Sequence, residues 1–327
     1  MRNPRESVNL ERRVQSVDIV NDMILVATAN LGGNTWDATL LVVDYSTKEV
    51  VATVKQPCGC ADVCWTTLGQ RAICAEDSGD VKVYKMDEEA PVRLVEIASL
   101  KEHDDIVSTV AASDFHNGVL LSGSFDRSVS VWDIDSGRHT SLDSFTGHSG
   151  SVTGAEWSGG EDCGQVFASS STDCSVRLWD RRQARGCCAC LWLGAPALTV
   201  CWDTCSQDVI GAGCEDGTVA ILDKRTFSCP VSVQQTHAGR VNKTAFGPAT
   251  AGGVSSQESA LLASVGDDGV VAVRRLGEDS YIVRSKLHSD YAQGLTWRDE
   301  NTFISGGWDN ELCFGDLKQT TRDEHVS

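Results

Sequence analysis

The stretch "VLLSGSFDRSVSVWD" (Val119–Asp133) and its near copy "VFASSSTDCSVRLWD" (Val166–Asp180) decide the fold of this 327-residue chain. Each reads as two short strands around a polar turn. Apolar and β-branched residues lead into small ones, an Asp sits in the turn, and a second run ends in Trp-Asp. A histidine precedes each copy: His103 lies 29 residues before Trp132, and His148 lies 31 before Trp179. Self-similarity at such a period marks stacked supersecondary units, none of which buries its faces alone.

Aligning the turn and the strand after it yields weaker copies. "VIGAGCEDGTVAILD" places Leu222 at the Trp position. "LLASVGDDGVVAVRR" places Arg274 there, with His237 upstream, and "FISGGWDNELCFGD" places Gly315 there, with His288 upstream. Nearer the N-terminus, "AICAEDSGDVKVYK" places Tyr84 and "ILVATANLGGNTWDATLLVVD" places Val43. The seven positions are 41 to 52 residues apart, enough for a four-stranded blade of roughly 40–45 residues plus loop insertions such as 247–260. These units resemble the WD40 repeat, which implies an all-β fold: a seven-bladed WD40 β-propeller. After Leu317 only "KQTTRDEHVS" remains, too polar and short for an outer strand. Residues around Val8–Val14 are therefore expected to supply it, so that an N-terminal strand closes the ring. The expected organisation is a tail at 1–7, the propeller at 8–317 and a tail at 318–327.

The net charge of −18 argues against a general nucleic-acid binder, which needs a basic face for phosphates. It favours solubility and basic partners. No segment approaches the roughly 18 consecutive apolar residues of a membrane span, and "MRNPRESVNLERR" lacks the apolar core of a signal peptide. The 14 cysteines are accordingly expected as reduced thiols. Cys64, Cys74, Cys201 and Cys313 sit in strand-like runs, where a thiol behaves as a small apolar residue. "CGCADVC" (Cys58, Cys60, Cys64) and "CCAC" (Cys187, Cys188, Cys190) lack the paired spacing of structural zinc sites, so no metal or other cofactor is expected.

His, Ser and Asp recur here, and a hydrolytic triad is the first thought. A catalytic set occurs once, however, whereas this one repeats blade by blade. His103, Ser122, Asp126 and Trp132 form one set, and His148, Ser169, Asp173 and Trp179 another. Partial sets are His237, Ser264 and Asp268, and His288, Ser305 and Asp309. A buried hydrogen-bond chain that locks each turn explains the recurrence better than catalysis. No phosphate loop or nucleophile elbow is present, so the chain reads as non-enzymatic.

Function must then lie where blades depart from the pattern. Blade 1 has a long turn, "NLGGNTWDA", with Trp36–Asp37 out of place. Several segments resemble one WD40 family, the non-catalytic subunits of the methylosome. They are "EHDDIVSTV" (Glu102–Val110), "EDSGDVKVYKMDE" (Glu76–Glu88), "HSDYAQGLTW", "GGWDN" and, as a pattern, Leu10–Asp44. The resemblance implies a cytoplasmic and nuclear scaffold that docks on a type II protein arginine methyltransferase. The assembly would be a hetero-octamer with four copies of each subunit. It also implies that the propeller helps present Arg-rich substrates such as histones and Sm proteins for symmetric dimethylation. Trp36 becomes the partner anchor, surrounded by Leu31, Asn34, Thr35 and Asp37. Glu102, Asp104 and Asp105 become an acidic contact patch for partner or substrate.

Two other readings stand beside it. "WDRR" (Trp179–Arg182) matches the W-D-x-R signature of cullin-RING ligase substrate receptors, although the same Arg can simply support its own blade. A generic WD40 scaffold is the third. The sequon at Asn242–Thr244 falls in an expected strand, and Arg181–Arg185 reads as a solvated basic loop.

Overall fold

The computed structural model describes residues 6–32, 35–66, 71–87, 92–113, 118–159, 162, 164–183, 186–203, 206–248, 260–278 and 280–318. The tails expected at 1–7 and 318–327 lie mostly outside them. Seven four-stranded antiparallel sheets make up a β-propeller. In blade 3, Val107–Ala112 is the inner strand, followed outward by Val119–Ser124, Ser128–Asp133 and Asp143–Thr146. The other blades repeat this order. Each residue aligned with the repeat Trp faces the second strand at the same register: Ile24↔Val43, Ala72↔Tyr84, Leu120↔Trp132, Phe167↔Trp179, Ile210↔Leu222, Leu262↔Arg274 and Phe303↔Gly315.

The core is distributed. Seven apolar clusters fill the seven blade–blade interfaces, because each twisted sheet is apolar on both faces and needs a neighbour on each side. The ring closes through Ser7–Asn9, which pairs with Glu311–Asp316 in the register Val8↔Leu312. The closing strand is shorter than the expected Val8–Val14. Val14 already belongs to the inner strand of blade 1, Arg13–Val20, where it is fully buried. Closure therefore works like a clasp, with Leu10, Val14 and Val17 packing onto Ile304 and Leu312 of blade 7.

Blade 7 shows how a missing Trp is replaced. Phe303, on the neighbouring strand, fills the space above Gly315, and a Cβ at 315 would land inside its ring. Gly315→Ala should cost about 1–3 kcal/mol by overpacking, measured as a lower denaturation midpoint. An unchanged midpoint would show that the ring has room to move.

Every inner strand carries a bulge after its buried opening residue: Val14, Cys60, Val107, Val152, Ala197, Val241 and Ala292. An extra residue there re-aims the side chain that follows. The residues after the bulges are Ser16, Asp62, Thr109, Gly154, Thr199, Lys243 and Gly294. Those of the first six blades line a polar cavity on the ring axis, and Asp62 and Lys243 are the charged members of this set.

Candidate functional site

The structure brings each His-Ser-Asp-Trp set together. In blade 3, Trp132 Nε1 donates to Ser122 Oγ at 2.8 Å. His103 Nε2 lies 2.7 Å from the same oxygen, and His103 Nδ1 lies 2.8 Å from Asp126. Blade 4 repeats the chain at 2.8, 2.7 and 3.0 Å through Trp179, Ser169, His148 and Asp173. Indole nitrogen can only donate, so each Ser oxygen accepts that bond and gives its own hydrogen to His Nε2. His Nδ1 then carries the hydrogen given to Asp. Ser122 and Ser169 are fully buried, so no substrate reaches either hydroxyl. His237–Ser264–Asp268 and His288–Ser305–Asp309 are joined in the same way. Blade 2 substitutes a different pair: Gln56 Nε2 donates to the Tyr84 hydroxyl at 2.8 Å, both buried. In blade 6, Arg274 bonds to Gln234 of the preceding blade's outer strand.

These chains fix the protonation states. Burial works against charge on Asp126 and Asp173, but the hydroxyls of Ser128 and Ser175, the turn amides and the imidazoles outweigh it. Both carboxyls are held below their ordinary range, and so are those of Asp268 and Asp309. Burial lowers His148 and His237, which are therefore neutral at pH 7. Asp18, on the ring axis, goes the other way: burial pushes it up to about 6 despite amide donors from Trp65 and Ile19.

The linkage signs follow. The two lowered histidines withdraw stability as pH falls through their unfolded value near 6.5. The lowered carboxyls withdraw theirs below about 4. Asp18 contributes stability at low pH and loses it as pH rises through about 6. Asp18→Asn should therefore lose more melting temperature between pH 7 and 4.5 than wild type does. A shallower fall in the variant would contradict the assignment.

The departure in blade 1 is a hairpin and not a loop. Its strands, Met23–Gly32 and Thr35–Asp44, are ten residues each, against six in blade 3. Ala27↔Leu40 corresponds to Gly123↔Val129, the last pair of the blade 3 ladder. Pairing then continues through Thr28↔Thr39, Ala29↔Ala38, Asn30↔Asp37, Leu31↔Trp36 and Gly32↔Thr35. Five further pairs at roughly 3.3 Å per residue extend about 16 Å past that point. Trp36 is thus on a strand, opposite Leu31. The expectation of a long turn is corrected, because both flanks keep pairing up to Gly32↔Thr35. Asn34 itself lies outside the described residues. Asp37 is half-exposed and meets Arg12 at 3.5 Å, bracing the hairpin base.

This hairpin rises from the face that carries the turns between second and third strands and the loops entering the inner strands. Glu102, Asp104 and Asp105 lie on it, all exposed. Glu102 Oε2 accepts from the Ser141 amide at 2.6 Å. Asp105 accepts from the Ile106 amide, and the Asp104 amide donates to Asp126. Sequence reasoning missed the aromatic rim of this face. Phe125, Trp192 and Tyr291 are 39%, 61% and 42% exposed. Tyr291 packs on Trp308 at 5.3 Å, and the Arg13 guanidinium lies 5.0 Å over Trp308.

Both faces carry ion pairs, and on this one Glu215 meets Arg240 at 2.9 Å and Asp80 meets Lys101 at 2.6 Å. Among the described residues, Asp77, Asp104, Asp105, Asp216 and Asp290 of this face have no ion-pair partner. On the opposite face the pairs include Arg71–Asp135, Arg182–Asp162, Arg225–Asp208 and Arg298–Asp22. Arg182 of the W-D-x-R stretch also forks onto Asp180 at 2.8 and 2.9 Å, and Arg225 does the same on Asp223. The motif is thus a blade support that recurs in blade 5.

Among the described residues, no group of three or more His, Cys, Asp or Glu could hold a metal ion. Cys64, Cys201 and Cys313 are buried thiols, but Cys60 and Cys74 are joined, contrary to the expectation of free thiols throughout. They face each other across the first two strands of blade 2, where Cys74 takes the register position that Ser122 holds in blade 3. Asn242 of the sequon is engaged by Asp267 and Ala292 O, each at 2.9 Å. Among the described residues, no helix is long and apolar enough to cross a membrane.

Comparison with known proteins matches the family model "WD domain, G-beta repeat" at residues 94–133 and 139–180. These segments contain Trp132 and Trp179, the residues of the two complete hydrogen-bond chains. A ribosome biogenesis protein, the WDR12 homolog of Anopheles gambiae, is 26% identical over 218 residues, 66% of this chain and 42% of that protein. The protein transport protein sec13 of Emericella nidulans is 26% identical over 227 residues, 62% of this chain and 72% of that one. Mitochondrial division protein 1 of Aspergillus terreus is 37% identical over 90 residues, 28% of this chain and 12% of that one. The chain thus spans less than half the length of the mosquito relative.

The resemblance to the methylosome subunits is overturned by these relatives, whose names point elsewhere. Its segments fall on positions that any blade constrains. Glu102–Val110 holds the blade 3 His and the start of an inner strand, Glu76–Glu88 a turn and third strand, and "GGWDN" another turn. The methyltransferase partner, the hetero-octamer and the histone and Sm substrates lose their basis with it. What stands is a seven-bladed β-propeller in which blades 3 and 4 carry WD40 repeats.

Proposed function

We propose that this chain is a non-catalytic scaffold that grips a protein partner on the face bearing the blade 1 hairpin, and that the partner presents a basic segment there. The observation that carries the reading is the hairpin: the pairs Asn30↔Asp37, Leu31↔Trp36 and Gly32↔Thr35 continue past Ala29↔Ala38, the last pair whose side chains are buried in the blade. Tryptophan is a common interface anchor. The uncompensated carboxylates of the same face favour Lys and Arg, steering them at long range and binding them together where single contacts are weak. Glu102, Asp104, Asp105, Leu31, Thr35, Trp36 and Asp37 belong to this surface, and Asn34, outside the described residues, is proposed with them. The relatives' names cover ribosome biogenesis, protein transport and mitochondrial division, and a shared platform with different partners fits that spread. Work in cytoplasm and nucleus fits the same names.

The test replaces residues 30–37 with Asn-Gly, closing the hairpin at Ala29↔Ala38. Proteins captured by wild type and by the shortened variant are compared quantitatively. Selective loss of basic partners supports the reading, and identical capture sinks it.

A further inference from the structure

Two charged residues meet on the ring axis. Lys243 Nζ of blade 6 lies 3.1 and 3.3 Å from the two carboxylate oxygens of Asp62 in blade 2. The blades are not neighbours: blades 7 and 1 separate them on one side, and blades 3, 4 and 5 on the other. Asp62 also accepts from Ser16 Oγ of blade 1 at 2.6 Å, from Thr109 Oγ1 of blade 3 at 3.1 Å and from the Val110 amide at 3.3 Å. One carboxylate, 4% exposed, thus collects donors from blades 1, 3 and 6 while anchored in blade 2.

The next position along the inner strands adds Asp18 in blade 1 and Glu156 in blade 4, both lining the adjoining part of the channel. Three carboxyl groups therefore converge on an axial space in which Lys243 is the cation bonded to Asp62. The cavity at the level of Asp62 is about 200 Å³, and Lys243 is the one basic side chain among its lining residues.

We propose that Lys243 is a tethered cation that plugs the axial channel and cross-ties blades 2 and 6, holding the closed ring in one geometry. The inner strands meet neighbours only through their own blade interfaces, and the ends of the chain join at the blade 7–1 clasp. A strut across the axis resists an opening of that clasp that neighbour contacts alone would let propagate. The bulges make the strut possible, because each turns the following side chain inward at the same height.

The tests are thermal melts of Lys243→Met and Lys243→Ala. Both should melt roughly 5 °C or more below wild type, as expected for leaving the buried Asp62 carboxylate without its cation. In Lys243→Ala, n-propylammonium at tens of millimolar should restore part of the loss, because it supplies the ammonium and three carbons removed. Sodium chloride at equal ionic strength and n-propanol should not. Lys243→Met should lose less when Asp62 is already Asn than in the wild-type background. If Lys243→Ala fails to fold, the melt of Lys243→Met decides. A Lys243→Met variant as stable as wild type would overturn the proposal, as would rescue by sodium chloride equal to rescue by propylammonium.

Discussion

Replacing Trp179 with alanine is expected to destabilise the propeller by about 4–5 kcal/mol, near the top of the range for large-to-small core changes. The indole is 1% exposed. It stacks on Phe167 with ring centroids 6.0 Å apart and planes at 17°, and it touches Phe145 at 5.8 Å and His148 at 6.0 Å. Alanine removes that packing and leaves a cavity in the interface between blades 3 and 4. It also takes the donor from Ser169 Oγ, so the chain to His148 and Asp173 loses its first link. Leu222 occupies the same register in blade 5, where the described residues form no such chain. Leu222→Ala should carry the cavity cost alone, about 3 kcal/mol. Urea denaturation of the two variants separates packing from hydrogen bonding. Equal losses would mean that the polar chain adds nothing to stability beyond packing.

That contrast also shows what could be read from residues. Blade number and register were legible because the turn Asp, the small residues before it and the residue at the Trp position recur at fixed offsets. The complete chains were legible for the same reason, since four residue types at set spacings leave one geometry. The replacements were not. Gln56 finds Tyr84, Gln234 finds Arg274 and Phe303 covers Gly315 across strands or blades, with no fixed offset to announce the pairing. Asp62 and Lys243 lie 181 residues apart, and only the bulge in each inner strand sets them at one height. A signal existed in retrospect: counting two residues past each buried opening residue aligns the channel-lining set. At the candidate site, Trp36 was recognisable as displaced, but its setting was misjudged. Gly and Asn read as a loop, whereas the residues on either side, Leu31 and Trp36 among them, stay paired. The segments behind the methylosome resemblance misled because they coincide with what a blade needs in order to fold.

The second large effect concerns the hairpin. Residues 30–37 lie beyond Ala29↔Ala38, the last pair with buried side chains, and their replacement by Asn-Gly removes one described ion pair, Arg12–Asp37, which is partly exposed. Such a pair is worth about 1 kcal/mol or less, so the melting temperature should stay within about 3 °C of wild type. Partner binding should fall at least about 100-fold, equivalent to about 2.7 kcal/mol, as expected when a central aromatic anchor is lost. Binding by the wild type should also weaken as salt rises, because exposed carboxylates contribute over a Debye length of roughly 8–10 Å.

The most direct measurement is the affinity of the captured partner for wild-type and shortened-hairpin propellers, taken side by side by titration calorimetry on proteins with matched melting temperatures. The account predicts a loss of at least about 100-fold with the fold intact. Equal affinities with the hairpin removed would contradict it.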